Sequence, residues 1–65
     1  MKIKYQLLNQ QEMYAVFNGV PDFLRQQSME LPRIPDSARV VMMEINDEPY
    51  PFEGSVAELF YELSR

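Results

Sequence analysis

Six carboxylates stand in the second half of this chain: Glu44, Asp47, Glu48, Glu53, Glu58 and Glu62. Tyr50 and Tyr61 lie among them, and no base occurs between residues 40 and 64. Such a set has three chemical uses. Paired carboxylates can perform general acid–base work, provided a cleft holds them. Acids spread over a surface can attract a basic protein. Acids in a line can imitate a run of phosphates and occupy the groove of a nucleic-acid-binding protein.

The rest of the inventory weighs against catalysis. The chain has no histidine and no cysteine, which removes the usual general base near neutral pH, the thiolate nucleophile and the zinc-thiolate site. Its lysines, Lys2 and Lys4, fall in a frayable N-terminal segment, and Ser28, Ser37, Ser55 and Ser64 have local uses as helix, turn, cap and terminal residues. Asp47 and Glu48 fall where a hairpin turn is expected, and solvation accounts for them. Only two glycines occur, neither in a glycine-rich loop, so no phosphate cradle is written here. The bases are scattered, so direct nucleic-acid binding is not expected. The expectation is no enzyme, no cofactor and no metal.

Charge is divided unevenly. Residues 1–39 carry five bases and four acids, residues 40–64 carry six acids and no base, and the whole chain has a net charge of −4. The chain is therefore expected to be a non-catalytic small acidic protein acting by protein–protein binding, as an adaptor, regulator or inhibitor. Glu44, Asp47, Glu48, Tyr50, Glu53, Glu58, Tyr61 and Glu62 form the expected partner surface. The alternative is a nucleic-acid-mimicking inhibitor carried by a mobile element or prophage.

The elements that would position these residues are legible. Residues 2–8 alternate, with Ile3, Tyr5 and Leu7 on one face, and predict a half-buried strand. Asn9 to Glu12 predict a turn, and Met13 to Phe17 a returning strand. Pro21 and Asp22 suit the first turn of a helix over roughly residues 21–30, with Val20, Phe23, Leu24, Gln27 and Leu31 at helical spacing. Leu31 to Ser37 holds two prolines and predicts a crossover. Pro32-x-x-Pro35 also fits the minimal pattern bound by SH3-type domains, though a short ordered connector explains the same residues.

Val40 to Ile45 predicts a strand covered on both sides, with Val41, Met43 and Ile45 on one face and Val40 and Met42 on the other. After an Asn46-Asp47-Glu48 turn, Pro49 to Phe52 predicts an edge strand. Prolines at alternate positions leave one side without donors, and Tyr50 and Phe52 turn inward. Ser55-Val56-Ala57-Glu58 is a capping box, and Val56, Leu59, Phe60 and Leu63 make one apolar helix face.

Both halves thus read strand–strand–helix, a pseudo-repeat of 1–31 and 38–65 within one small domain. The signature Phe17-Asn18-Gly19 before the first helix is echoed by Phe52-Glu53-Gly54 before the second, with Ser55 inserted. The expected fold is α+β, ββαββα: a four-stranded, mainly antiparallel sheet with two short helices on one face. The strand order is 2-1-3-4 if a pseudo-two-fold relates the halves, with 1-2-3-4 open.

Residues 45–59, Ile45-Asn46-Asp47-Glu48-Pro49-Tyr50-Pro51-Phe52-Glu53-Gly54-Ser55-Val56-Ala57-Glu58-Leu59, resemble the opening of ubiquitin-like sulfur carriers of the thiamine-pathway type. Those carriers begin with a strand, a tight turn after Ile-Asn, a second strand and a helix opened by a small polar cap. The resemblance covers about a quarter of the chain and implies shared ββα grammar. The carriers finish on an activated Gly-Gly tail, whereas this chain reads Glu62-Leu63-Ser64-Arg65, so no carrier chemistry is implied.

Sixty-five residues without cysteine lie where a single core is marginal and oligomerisation is the remaining support. A homodimer is expected, through an uncovered sheet face bearing Val40, Met42, Tyr14 and Val16. No apolar run approaches the length of a membrane span, and no h-region follows Met1-Lys2-Ile3-Lys4. A cytoplasmic protein with a protein partner and no membrane attachment is expected.

Overall fold

A computed structural model describes residues 1–65. Strand β1 (Lys2–Gln6) pairs antiparallel with β2 (Glu12–Val16), setting Ile3 opposite Ala15 and Tyr5 opposite Met13. Helix α1 (Val20–Gln27) follows, and a connector leads to β3 (Arg39–Ile45), antiparallel to β1 on its other side. The chain continues through β4 (Glu48–Pro49), β5 (Gly54–Ser55) and helix α2 (Val56–Leu63). The strand order is β2-β1-β3-β4, with β5 also on β3. The fold is α+β, a mostly antiparallel open sheet with two short helices, and of the two orders compatible with the sequence it takes 2-1-3-4.

Turn chemistry sets the β3–β4 hairpin. Ile45 pairs with Glu48, so the loop is Asn46-Asp47, and both residues have positive φ, 54 and 64. Those values match a type I′ turn, whose twist suits the flanking strands and which Asn and Asp tolerate.

The proline strand is at the edge, but it is broken. Tyr50 N–H donates to Met43 C=O at 3.0 Å. Because donors alternate along a strand, Pro49 faces away from β3, where a missing N–H costs nothing. Residues 50–53 then leave regular pairing, and the chain rejoins β3 only where Gly54 faces Val40. Tyr50 and Phe52 still pack against the core.

One sequence expectation is overturned on β3. Val40 is 7% exposed and lies in the core, while Met42 is 61% exposed and Val41 is also open to solvent. The cause is a bulge: Lys4 pairs with Met42 but Tyr5 pairs with Val40, leaving Val41 as an extra residue. The bulge resets the alternation, so Val40 and Met43 both point inward. Val40 therefore leaves the expected dimer face.

Each helix start repeats one device with a different cap. Asp22, at the third helical position of α1, accepts from Asn18 N–H at 2.9 Å. Its carboxyl is held below its ordinary 3.8, first by that bond and then by Gln26. In α2 the full capping box forms: Glu58 N–H donates to Ser55 Oγ at 3.1 Å, and Ser55 N–H donates to Glu58 Oε1 at 2.9 Å. The connector satisfies the next orphan donors, as Val56 N–H bonds Ala38 C=O and Ala57 N–H bonds Asp36 C=O. Gly19 and Ser55 are the equivalent N-caps, which places Gly54 one residue before the position of Gly19. Replacing Ser55 by alanine removes one acceptor of this set and is expected to lower unfolding stability by about 1 kcal/mol, read from a urea titration.

Counted from those caps, Phe23 and Leu59 occupy the same helical position, and both are fully buried. Phe23 meets Phe17 edge-on, with ring centroids 5.2 Å apart, and Phe60 at 6.4 Å. Ile3, Ile34 and Val56 complete the centre. Leu31 is 86% exposed, against expectation. Helix α1 stops at Gln27, and Pro32 biases its predecessor away from helical geometry. Ile34 takes the buried place instead, while Arg33 and Pro35 on either side of it stay exposed. No helix is long and apolar enough to cross a membrane.

Candidate functional site

The six acids of the second half do not gather in one place. Glu44 lies opposite Lys2 on the helix-free face of the sheet. Asp47 and Glu48 form the tip of the β3–β4 hairpin. Glu53, Glu58 and Glu62 stand around the outer side of α2. No group of three or more carboxylates converges as a cation would require.

The third set lines a shallow groove of about 500 Å³ with Phe52, Ala57, Tyr61 and Arg65. Four of the eight expected partner residues therefore meet there: Glu53, Glu58, Tyr61 and Glu62. Helical spacing explains three of them, since 58, 61 and 62 fall on one side of α2, opposite its buried Val56 and Leu59. The loop between β4 and β5 brings Glu53 beside them. Tyr61 is 69% exposed.

Two of these acids already have internal work. Glu58 closes the capping box, and the Ser55 backbone N–H, then its hydroxyl, hold its carboxyl below the ordinary 4.5. Glu62 accepts the Tyr50 hydroxyl hydrogen bond, which ties α2 to the edge strand. That bond, followed by burial, raises the Tyr50 pKa above its ordinary 10.0. Tyr50 is thus a structural strut beside the groove, and it does not line the groove. Glu53 and Tyr61 are the expected partner residues in the groove with no side-chain bond to their own chain among the hydrogen bonds and ion pairs of the fold.

A second open groove, about 600 Å³, adjoins the first across Phe52 and Glu53, which line both. Its other walls are Val41, Met42, Met43, Pro49, Tyr50 and Pro51. Sequence reasoning missed this apolar extension. The bulge that turns Val41 outward created it, and nothing in the alternation of Val40 to Ile45 marks a bulge.

The helix-free sheet face is also not the continuous apolar patch expected of it. Tyr14 and Val16 remain exposed with Met42, but Lys2 and Lys4 stand between them on the central strand. Both ammonium groups lie over the Tyr14 ring, at 4.8 and 5.7 Å from its centroid. Lys4 also pairs with Glu12 at 3.2 Å, and that bond raises the Lys4 pKa above 10.5. Burying this face against a copy of itself would strip water from two lysines per subunit, so stacking through Tyr14, Val16 and Met42 is disfavoured.

No curated protein matches the chain. A crystal structure of a conserved domain protein from Streptococcus pneumoniae TIGR4 is similar, with a TM-score of 0.82 over 98% of this chain and 88% of that one, at 22% sequence identity. At this identity the likeness establishes the fold alone. The family profile named Domain of unknown function (DUF4649) matches residues 1–65, and the chain belongs to that family.

Proposed function

We propose that this chain is a non-catalytic, cytoplasmic protein-binding module whose acidic groove on α2 receives a basic segment of another protein. The observation that carries this reading is the meeting of Glu53, Glu58 and Glu62 around the exposed Tyr61. Aromatic residues at a partly desolvated centre, ringed by charge, are the usual anchors of protein interfaces. The adjoining groove with Met42, Pro49 and Pro51 extends the surface with apolar contacts. The matching partner is a segment carrying lysine or arginine beside an apolar side chain. Imitation of a nucleic-acid backbone needs one file of carboxylates, and the six acids occupy three separate places, which favours protein binding over that alternative.

The test is affinity capture from an extract of the source cells at low salt, comparing the native chain with Tyr61→Ala and Glu53→Lys. Both residues are exposed, so stability is expected to change by no more than about 0.5 kcal/mol. A partner held by the groove is expected to bind each variant about tenfold more weakly, a typical consequence of losing an interface anchor, and to be released as salt screens the acids. Equal capture by native chain and variants would refute the groove as the binding surface.

A further inference from the structure

The two edges of the sheet are built in opposite ways. At the β4 edge, Pro49 faces outward without a donor. At the β2 edge there is no proline, no lysine and no bulge: residues 12–16 read Glu-Met-Tyr-Ala-Val. Natural sheets blunt an exposed edge with such devices, and an edge without them is a pairing template.

The pairing of β2 with β1 fixes which groups are free. Met1 and Phe17 exchange both backbone hydrogen bonds, and Leu7 N–H donates to Gln11 C=O. Residues 11, 13, 15 and 17 therefore turn their backbone groups toward β1. Those of Glu12, Tyr14 and Val16 turn outward, and no strand lies on that side of β2.

We propose that the β2 edge pairs antiparallel with the β2 edge of a second copy of this chain, with Tyr14 facing Tyr14 across a two-fold axis. In this register Glu12 faces Val16 of the other copy, and each outward donor and acceptor of residues 12, 14 and 16 gains a partner. Side chains match on both faces. Met13, 39% exposed on the core side beside Tyr5, meets the other copy's Ala15 and extends the core across the axis. On the opposite face, Glu12, already paired with Lys4 of its own chain, comes beside Val16 of the other copy, whose own neighbour is Lys2, so a second base lies near the acid. A one-residue slip would set the outward-facing groups of one copy against residues whose own backbone groups face β1, and would lose every bond. This self-complementarity selects a second copy over an unrelated strand.

The experiment is analytical ultracentrifugation of the full chain into the millimolar range. The expected native mass is twice 7.7 kDa. Tyr14→Pro removes an N–H that the chain itself does not use, and is expected to halve the mass while keeping the native far-UV circular dichroism. A native chain that stays monomeric throughout, or a folded Tyr14→Pro that still dimerises, overturns the proposal. If Tyr14→Pro fails to fold, the register is read with single cysteines in this cysteine-free chain. Residues 12 and 16 of opposite copies would lie ~5.5 Å apart at Cα, within disulfide reach. Mixed Glu12→Cys and Val16→Cys chains are expected to form the heterodisulfide in preference to either homodisulfide. A random mixture, or no cross-link, overturns the proposal.

Discussion

Replacing Phe23 by alanine is expected to leave a chain with no stable folded state at room temperature. Phe23 is fully buried, meets Phe17 edge-on at 5.2 Å and leans on Phe60 at 6.4 Å. It is the ring through which α1, α2 and the end of β2 touch. Truncating such a residue costs about 3–5 kcal/mol, because the transfer energy of the ring is lost and a cavity remains. The edge-on pair adds about 0.5–1.5 kcal/mol that alanine cannot replace. A chain of 65 residues has roughly 3–10 kcal/mol in total at ordinary stability per residue, so one substitution removes most of it. Urea titration by circular dichroism is expected to show the native cooperative transition and, for Phe23→Ala, a midpoint near zero denaturant. Phe23→Leu, which keeps much of the volume, is expected to lie between them. A fall below about 1 kcal/mol for the alanine variant would mean that the core is centred elsewhere.

The second large effect belongs to Gln27. It is the sole buried polar residue, 7% exposed. Its Nε2 donates to Ile34 C=O at 2.9 Å, and Ile34 N–H donates to its Oε1 at 2.9 Å. One amide thus satisfies both backbone groups of a buried connector residue, which no helix or sheet ladder reaches. Gln27→Ala strands both groups, each worth about 1–3 kcal/mol when left unpaired. The loss is expected to rival that of Phe23→Ala. Gln27→Glu isolates the cause. At neutral pH its carboxylate still accepts from Ile34 N–H but sets a second acceptor against Ile34 C=O; when protonated, it can donate to that carbonyl. The folded state therefore favours the protonated acid and raises its pKa above the unfolded value of about 4.3. The restored stability is fully present below the unfolded pKa and lost as pH rises through the folded one. Stability of Gln27→Glu, relative to the native chain at each pH, is expected to improve on acidification, and a ratio independent of pH would deny the clamp.

Those two residues mark where reading the sequence works and where it stops. Phe23 was legible because helical spacing and the proline–acid start of α1 state its role locally. The α2 capping box and the donor-poor proline edge were legible for the same reason, since each is a short-range rule carried by adjacent residues. Gln27 was legible as a position on a helix face, but not as a clamp, because its partner Ile34 is fixed by how the connector folds back. Leu31 and Ile34 are both apolar and three residues apart, and only the end of α1 decides which is buried. The Val41 bulge is set by pairing with β1, so no pattern within β3 could announce it. Its consequence is large: Val40 moves into the core, and Val41 and Met42 open the apolar groove.

The proposed partner surface follows the same division. Glu58, Tyr61 and Glu62 were readable as one side of a helix. That Glu53 joins them, that Glu44 lies on the other side of the sheet, and that Tyr50 is engaged by Glu62 all depend on the path of residues 50–53. A list of acids contains none of that.

On the reading proposed above, α2 and the Phe52–Glu53 loop form one binding surface. Nitrogen-15 chemical-shift mapping, while a short peptide of alternating lysine and leucine is added at low salt, reads that surface residue by residue. Saturable shifts are expected, concentrated on Phe52, Glu53, Ala57, Tyr61 and Arg65. Shifts as large at Glu30, Asp36, Asp47 and Glu48 would show attraction to acids wherever they lie, and would contradict that reading.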